Sequence, residues 1–369
     1  MSRRPHICFT FVGDVTRDSR LRRFAAAAGE VADVHILQLF KSGDGHPDPR
    51  VIPFPLRSSL RQALPRFWRQ ASAALRELHC DLCIAADLYS LPAAARGARA
   101  LGRPLVYDAR ELYASIAALQ GRSLMQRFWT GVERRYARRA TAILTVNESI
   151  AGILRDRHAD VRVVRNVPDW SAPRESQKLR EACGIPADRR ILLSQGGLQR
   201  GRGALPLVDA LAALPDCHLV FLGDGDYRGE IEAAAQLIGV SDRVSIISAV
   251  PSADLPQWTA SADLGMCLIE NLGRSYYLSL PNKLFEYMAA GVPVVGSDFP
   301  EIGMLLRETG AGITVDPSDG ELLVRAVRVL LDDTDRYARA KAACLAASKQ
   351  YHWENERRVF AALIKSLIT

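Results

Sequence analysis

Short apolar runs alternate with segments of helical periodicity along the first half of the chain. A short run bounded by turn-forming residues is typical of a buried parallel strand, whereas apolar residues three and four apart indicate the inner face of a helix. Strands are predicted at Ile7–Val12, Val34–Leu39, Leu82–Ala86, Leu105–Tyr107, Ala142–Val146 and Val161–Val164. Helices are predicted at Ser19–Ala28, Leu60–Leu78, Leu91–Leu101, Gln126–Arg139 and Ser149–Arg157. This alternation predicts a parallel sheet covered by helices on both faces.

The second half repeats this alternation after a polar connector that begins at Asp169. Its strands are predicted at Ile191–Leu193, Leu219–Leu222, Val244–Ile247, Leu264–Leu268, Val292–Val295 and Gly312–Val315. The fold class is therefore α/β with two Rossmann-like domains, for which a chain of 369 residues is long enough. We place the domains at residues 1–168 and 169–350, followed by a final helical segment at 351–369.

Composition narrows the class of protein. The chain is 48% apolar and 24% charged, which is ordinary for a soluble globular protein. No apolar run approaches the roughly 18 residues that a spanning helix needs. The first apolar run is broken at Asp14, so it reads as a strand and not as a signal peptide. We therefore expect a cytoplasmic protein.

Positive charge is concentrated in the first half of the chain. Residues 1–168 carry 27 lysine and arginine residues against 15 aspartate and glutamate residues, a balance of +12, whereas the remainder has a balance of −5. Such asymmetry indicates an anionic partner for the first domain. No recognisable nucleic-acid module accompanies it, so nucleic acid is not expected.

The seven cysteines are scattered along the chain. Cys80 and Cys83 have the spacing of a redox or zinc motif, but they lie in a predicted strand, where residues three apart point to opposite faces. No second pair is present to complete a zinc site. We therefore predict reduced thiols and no bound metal.

The most informative stretch is a predicted helix that begins at Pro281 and ends at Gly291. Lys283 and Glu286 lie one turn apart near the start of this helix, where unpaired amides attract anions. A phosphate bound at the amides and a ribose bound at Glu286 would together make this a nucleotide-binding site. The alternative is an exposed helix with one Lys–Glu pair, which is worth only a few tenths of a kcal/mol.

Residues 279–287 read Ser-Leu-Pro-Asn-Lys-Leu-Phe-Glu-Tyr and resemble the donor-site signature of the family-4, or group 1, retaining glycosyltransferases. The resemblance implies a GT-B fold, in which an acceptor-binding domain and a nucleotide-sugar-binding domain face a central cleft and the C-terminal helix crosses back to the first domain. It also implies that Glu286 binds the nucleotide ribose. Family members usually carry a second glutamate, against the donor sugar, at the position that is Leu278 here.

A glycine-rich turn at 196–203 follows a predicted strand but matches neither a P-loop nor a dinucleotide fingerprint. In the family this turn carries an arginine and a lysine that hold the diphosphate. Aligning it puts Gly197 at the arginine position and Arg202 at the lysine position. Arg202 could bind phosphate through two parallel hydrogen bonds, and Arg200 is the candidate to replace the missing arginine.

Further nucleotide contacts are expected just beyond strand ends and at the start of the signature helix, because ligands of open α/β sheets lie outside the carboxyl ends of the strands. These candidates are Gly13, Gly223, Val250, Ser279, Leu280, Pro281 and Asn282.

Residues 107–113 follow a strand of the first domain, and many relatives carry there a histidine close to the donor sugar. This chain has Arg110 in its place. A missing carboxylate at Leu278 and an added cation at Arg110 favour a donor with a carboxylate, such as a uronic acid, since like charge no longer repels it. A deoxy sugar, which needs fewer hydroxyl contacts, is the rival donor. The alternative is that Arg110 turns away to pair with Glu111 or Asp108.

A predicted helix of the first domain carries arginines opposite leucine and aromatic residues. These are Arg57, Arg61, Arg66, Arg69 and Arg76, with Leu60, Leu64, Phe67, Trp68 and Leu75. Such a pattern suits a helix lying on an anionic membrane surface, and it equally suits a packed helix with its arginines in water.

Together these features predict a retaining, hexosyltransferase-type enzyme. It would move a sugar from a UDP- or GDP-linked donor to a glycan or lipid-linked acceptor in cell-surface polysaccharide synthesis. Arg202, Lys283 and Arg110 are its catalytic candidates, and no metal or other cofactor is expected. Two alternatives stay open because Leu278, Gly197 and Arg110 depart from the family's pattern: a nucleotide-sugar epimerase of the same architecture, and a non-catalytic GT-B partner subunit.

Overall fold

The computed structural model describes residues 3–40, 48, 50–172 and 175–368. The chain divides into two compact units. The first unit comprises Met1–Arg165 together with Glu356–Thr369, and the second comprises Asn166–Asn355. Among the described residues, no helix combines the length and apolar character needed to cross a membrane.

The first unit contains a seven-stranded parallel sheet in the order β3-β2-β1-β4-β5-β6-β7. Its strands are β1 His6–Val12, β2 Asp33–Phe40, β3 Val51–Pro55, β4 Leu82–Ala85, β5 Leu105–Ala109, β6 Ala142–Thr145 and β7 Val161–Val163. Its helices are α1 Ser19–Gly29, α2 Leu60–Glu77, α3 Leu91–Leu101, α4 Ser123–Ala137 and α5 Glu148–Arg155. The alternation of strands and helices agrees with the sequence prediction, apart from β3.

Strand β3 was missed because its sequence, Val-Ile-Pro-Phe-Pro, contains two prolines. Proline cannot donate to a sheet ladder, so it argues against a central strand. The strand lies at the edge of the sheet and pairs only with β2 among the described strands, a position where proline is tolerated.

The second unit contains a six-stranded parallel sheet in the order β10-β9-β8-β11-β12-β13. Its strands are β8 Arg190–Gln195, β9 Cys217–Leu222, β10 Val244–Ile247, β11 Leu264–Cys267, β12 Val294–Ser297 and β13 Gly312–Val315. Its helices are α6 Lys178–Cys183, α7 Ala204–Leu211, α8 Arg228–Ile238, α9 Leu255–Thr259, α10 Arg274–Tyr277, α11 Asn282–Ala290, α12 Pro300–Thr309, α13 Gly320–Asp332 and α14 Thr334–Ser348. Two parallel sheets with flanking helices confirm the prediction of two Rossmann-like domains.

The last helix, α15 Trp353–Ile368, contributes most of its length to the first unit. The Phe360 ring stacks on the Phe24 ring of α1 with centroids 4.1 Å apart. Glu356 is buried and accepts a hydrogen bond from the Arg165 backbone N–H at 2.8 Å. Aromatic burial therefore attaches the end of the chain to α1, and a buried carboxylate contact attaches it to the segment after β7.

The sulfurs of Cys80 and Cys83 lie 3.5 Å apart in the core of the first unit. The prediction that they point to opposite faces was wrong, because Cys80 precedes β4 and is not bound by strand alternation. Both thiols are free and fully buried. Within the described ranges, no group of three or more histidine, cysteine, aspartate or glutamate residues is arranged to hold a metal ion.

A buried ion pair joins α1 to β5 in the first unit. The Arg20 guanidinium donates to both carboxylate oxygens of Asp108, with Nε–Oδ2 at 2.8 Å and Nη2–Oδ1 at 2.7 Å. Its remaining nitrogen, Nη1, donates to the Val164 carbonyl oxygen at 2.5 Å. The two side chains are at most 3% exposed. Because every charged group in this set is hydrogen-bonded, the pair fixes α1 against the middle of the sheet.

Replacing Arg20 should therefore destabilise the first unit strongly. Arg20→Ala leaves the buried Asp108 carboxylate with Arg110 as its cationic partner and the Val164 carbonyl without this donor. We therefore expect a loss of about 3 kcal/mol in the free energy of unfolding, the lower end for a broken buried pair. Hydrogen exchange of β5 peptides measures the loss within this unit. The control is Arg3→Ala, which removes an exposed pair with Asp81 and should cost less than about 1 kcal/mol. Equal losses in the two variants would contradict this reading.

Candidate functional site

Tyr287 of α11 completes the hydrogen bonding of β8 in the second unit. Strand β8 pairs with β11 only through Leu192 and Leu193. Beyond this point the Tyr287 hydroxyl donates to the Leu193 carbonyl oxygen at 2.9 Å and accepts from the Gln195 backbone N–H at 3.0 Å. The hydroxyl thus takes the place of a neighbouring strand where the ladder ends, and buried backbone groups stay paired.

Gly265 makes room for the Tyr287 ring. A Cβ atom at Gly265 would lie 2.4 Å from Cγ of that ring, which no side chain could tolerate. Gly265 belongs to β11, and Tyr287 is fully buried against it. Helix α11 therefore lies close to the sheet, and the Tyr287 hydroxyl ties it to the end of β8.

The residue before Tyr287, Glu286, lies beside the end of β8. The Gln195 side-chain amide donates to Oε2 of Glu286 at 2.6 Å, and its carbonyl oxygen accepts from the Thr259 hydroxyl at 2.9 Å. Gln195 and Thr259 are buried, whereas Glu286 is partly exposed. The carboxylate is thus oriented by a buried chain of hydrogen bonds, which pre-positions it for a ligand in solvent.

Lys283, one turn earlier, is a cation with little solvent around it. It is 8% exposed, and burial lowers the pKa of its amine to about 8. The nearby Cys267 thiol and Glu286 carboxylate oppose this shift, and Arg202 reinforces it. Burial and a second cation both disfavour the charged form of the amine, so binding of an anion beside it would stabilise that charge.

Arg202 and Arg200 differ in their surroundings. The Arg202 guanidinium lies over the Tyr276 ring, 4.9 Å from its centroid, and the residue is half-buried. Its charge acts on the pKa of Lys283, so the two cations are neighbours. Arg200 is exposed. Arg202 is therefore half-buried against Tyr276, with its charge felt at Lys283, whereas Arg200 is exposed to solvent.

The glycine-rich turn is held by contacts between backbones. A Cβ atom at Gly223 would lie 1.9 Å from the Gly196 carbonyl oxygen, and one at Gly225 would lie 1.9 Å from the Leu198 carbonyl oxygen. Gly197 differs, because its Cβ would meet nothing closer than the Gln199 side chain at 3.7 Å. The turn after β8 and the turn after β9 thus interlock through glycine. A Cβ at Gly196 would meet nothing within 4 Å, but its φ of +110° disfavours any other residue, whereas Gly197 has both the space and an ordinary φ.

The residues before α11 lead from the short helix α10 into the signature. Ser279 donates its hydroxyl to the Tyr276 carbonyl oxygen at 2.7 Å, so this group serves the turn. Pro281 caps α11 without a side-chain hydrogen bond. The remaining predicted nucleotide contacts in this unit, all partly exposed, are Val250, Leu280 and Asn282.

In the first unit, Gly13 and Arg110 lie beyond the ends of β1 and β5. Arg110 is ion-paired with Asp18 through its Nη1, and its Nε donates to Oδ2 of Asp108 at 3.0 Å. Asp87, next to this network, accepts from the Val12 backbone N–H at 2.8 Å, and burial raises its pKa to about 6. The unopposed cation on which the expectation of a carboxylated donor depended is therefore absent, because two carboxylates neutralise Arg110.

Sequence reasoning missed the residues that act across the fold. Gln195 and Thr259 orient Glu286, and Tyr287 was noted only as part of a signature. The one local signal was that Gln195, a polar residue, ends a buried apolar strand. Sequence spacing could not show which distant side chain it meets.

Comparison with known proteins gives two matches of family models. Residues 20–169 match a model described as Glycosyltransferase Family 4, and residues 189–333 match one described as Glycosyl transferases group 1. Between them the two models cover most of both units.

Curated relatives are similar at moderate identity. The chain is 32% identical over 181 residues to the D-inositol 3-phosphate glycosyltransferase of Xylanimonas cellulosilytica. The aligned residues cover 48% of this chain and 42% of that protein. It is 28% identical over 282 residues to the 2-deoxystreptamine glucosyltransferase of Streptomyces kanamyceticus, covering 72% and 70%. The chain thus spans less than half the length of the first of these relatives.

Solved structures share the fold across nearly the whole chain. Sucrose-phosphate synthase from Thermosynechococcus elongatus superposes with a TM-score of 0.83 at 18% identity, covering 99% of both chains. Anabaena HepE in complex with UDP-glucose superposes with a TM-score of 0.78 at 20% identity, covering 98% of this chain and all of that one. At these identities the likeness is one of fold.

The role of the Tyr287 hydroxyl can be tested directly. In Tyr287→Phe the Leu193 carbonyl and the Gln195 amide lose their partner, and we expect the second unit to be destabilised by about 1–3 kcal/mol. Exchange of the Gln195 amide hydrogen should accelerate correspondingly. Tyr227→Phe is the control, since the Tyr227 hydroxyl has no hydrogen-bond partner in the described part of the chain. An unchanged Gln195 exchange rate in Tyr287→Phe would refute the assignment.

Proposed function

The chain belongs to the family-4, or group 1, glycosyltransferases, as the motif around Glu286 predicted, and on this premise we propose that it transfers a sugar from a nucleotide diphosphate to a glycan or lipid-linked acceptor. The observation that carries the proposal is the grouping of Arg202, Lys283 and Glu286 beyond the carboxyl ends of β8 and β11. The GT-B architecture of the structural neighbours agrees with this assignment.

The two cations are assigned to the leaving diphosphate. Lys283 is nearly desolvated in the free protein, so a diphosphate oxygen beside it would restore a partner to its charge. Arg202 is held in place by the Tyr276 ring and could donate to the same anion. Charges fixed before the reaction need little rearrangement when the glycosidic bond breaks, which is how a preorganised site lowers the barrier.

The carboxylate of Glu286 is assigned to the ribose. It accepts hydrogen bonds, and vicinal hydroxyls donate them, so one carboxylate can hold both hydroxyls of a ribose. Its bond to Gln195 limits its rotation, which lowers the entropic cost of binding. The nucleoside would therefore be anchored by α11 at one end and by its diphosphate at the other.

Analogy with a structural neighbour narrows the choice of base and sugar in the proposed donor. HepE, which shares the fold, was solved with UDP and with UDP-glucose, so UDP-glucose is the first donor to test and GDP-linked donors the second. We propose that transfer retains the anomeric configuration, with the departing phosphate assisting attack on the same face of the sugar. The chain's own cations, not a bound metal ion, would stabilise the leaving group.

Arg110 is reassigned within this proposal. Its ion pairs with Asp18 and Asp108 make it a positioning residue of the first unit. Its charge is compensated within the first unit, so Arg110 gives no reason to favour a carboxylated donor. The proposed setting is cell-surface polysaccharide synthesis from the cytoplasmic side.

Two alternatives make different predictions for simple assays. An epimerase of this architecture would convert the donor without any acceptor, whereas a transferase requires one. A non-catalytic partner subunit that has lost the donor site would show no heat on titration with UDP or GDP. Calorimetric binding of UDP without acceptor-independent conversion is the pattern that our proposal requires.

Glu286→Ala should lose nucleotide affinity while folding normally. Loss of hydrogen bonds to a charged group predicts a rise in Kd for UDP of roughly tenfold to a hundredfold, measured by titration calorimetry. Glu308→Ala, which removes an exposed carboxylate from α12, is the matched control and should bind UDP like the wild type. If Glu286→Ala retains full affinity, the ribose assignment is wrong.

Arg202→Ala should lower turnover by more than about a hundredfold, as expected when one preorganised charge is removed. The assay follows UDP release from UDP-glucose in the presence of an acceptor panel. Arg202→Lys should restore part of the rate. Arg200→Ala, two positions away and exposed, should have a mild effect. The reverse order of severity would show that Arg200 and not Arg202 holds the diphosphate.

A further inference from the structure

Helix α2, whose arginines suggested an interfacial helix, is an ordinary packed helix. Its apolar face is in the core, with Leu64 and Phe67 buried. Trp68 is half-buried, and its indole N–H donates to the Tyr89 carbonyl oxygen at 2.6 Å. The outer face of α2 exposes arginines without any large apolar side chain among them. It has charge but nothing to insert into a bilayer.

Helix α4 exposes both large apolar side chains and arginines, whereas α2 exposes only the arginines. Its first turns expose three large apolar side chains: Leu124 is 79% exposed, Met125 38% and Phe128 51%. Leu124 and Phe128 lie four positions apart and therefore share one face. Contiguous exposed apolar groups of this kind mark an interaction site.

The same outer face of α4 is strongly basic. Arg127, Arg134 and Arg138 are exposed and fall at the spacing of one helix face, next to the line of Leu124 and Phe128. In the described ranges none of these arginines forms an ion pair with a carboxylate. Their charge is therefore available to a partner.

The one acidic residue of α4 points inward. Glu133 is bonded to the Tyr107 hydroxyl at 2.9 Å, and burial raises its pKa. The exposed face thus carries cations and apolar groups without a carboxylate. Among protein surfaces this combination suits an anionic lipid interface, where arginines meet headgroups and apolar side chains enter the acyl boundary.

Neighbouring helices extend the basic surface. The Arg96 guanidinium of α3 lies 5.7 Å from the Trp68 ring of α2 and 5.8 Å from the Tyr136 ring of α4. Helices α2, α3 and α4 therefore lie side by side in one layer of the first unit. The arginines of α2 add charge to the surface whose apolar end is supplied by α4.

We propose that the first unit binds anionic membranes through α4, with Leu124, Met125 and Phe128 inserted below the headgroups and Arg127, Arg134 and Arg138 against lipid phosphates. Attachment is peripheral and does not depend on the donor chemistry of the second unit. A lipid surface is favoured over a protein partner because the cations are spread along the helix, whereas the apolar side chains are confined to one end.

The test is sedimentation of the full chain with vesicles of phosphatidylcholine alone and of phosphatidylcholine mixed with phosphatidylglycerol. Binding should require the anionic lipid and weaken as salt screens exposed charges. Leu124→Ser/Phe128→Ser should lower the partition coefficient at least about tenfold, since two exposed apolar groups no longer insert. Arg127→Gln/Arg134→Gln/Arg138→Gln should lower it roughly a hundredfold, at about fivefold for each arginine.

Two controls match these variants. Leu237→Ser removes a leucine that is 89% exposed on α8 of the second unit and should leave vesicle binding unchanged. Arg61→Gln/Arg66→Gln/Arg69→Gln removes three exposed arginines from α2 and should weaken binding less than the α4 set. Hydrogen exchange of β5 peptides verifies that the first unit of each α2 or α4 variant is folded. Titration with UDP, which the second unit is proposed to bind, separates this proposal from that of sugar transfer.

Three outcomes would overturn the proposal. Binding to neutral vesicles as strong as to anionic ones would exclude a lipid-charge interaction. A larger effect of the α2 variant than of the α4 variant would move the site to α2. Absence of vesicle binding, with a change of oligomeric state in Leu124→Ser/Phe128→Ser, would make α4 a self-association surface.

Discussion

The chemistry of the second unit depends on one hydroxyl group at the end of a strand. Strand β8 loses its neighbour β11 after Leu193, and a parallel sheet cannot leave the resulting backbone groups buried and unpaired. Tyr287 supplies the missing donor and acceptor from a helix. The two hydrogen bonds that complete the sheet thus also tie α11 to the end of β8, next to Glu286. Stability and ligand geometry share a single constraint here.

The two units bury their cations in opposite ways. In the first unit, Arg20 and Arg110 are surrounded by carboxylates, and their charge is compensated within the fold. In the second unit, Lys283 is buried near Arg202, and the pKa of its amine falls to about 8. A compensated cation organises structure, whereas an under-compensated one attracts an external anion. This difference supports the proposal that the second unit holds the diphosphate, although the first carries most of the positive charge.

Sequence reasoning succeeded where the determining forces are local. Pro281 and Gly291 predicted both ends of α11, and the apolar runs predicted nearly all strands. It failed where a residue's role depends on a distant partner. The bond between Gln195 and Glu286 joins residues 91 positions apart, and the pairing of Arg110 with Asp18 spans 92. Likewise, the sequence pattern singled out α2 and not α4 as an interfacial helix, because periodicity cannot show which apolar face a neighbouring element covers.

The interlocked turns after β8 and β9 have an evolutionary consequence. At Gly223 and Gly225 the backbone of the partner turn occupies the space of a side chain, so neither can change without rebuilding both loops. Gly197 is under no such restriction, since its side-chain direction is open. The arginine that the family resemblance places at this position could therefore be gained by a single substitution. Under the proposed function, the strength of phosphate binding could thus change by one residue, whereas the shape of the interlocked turns could not.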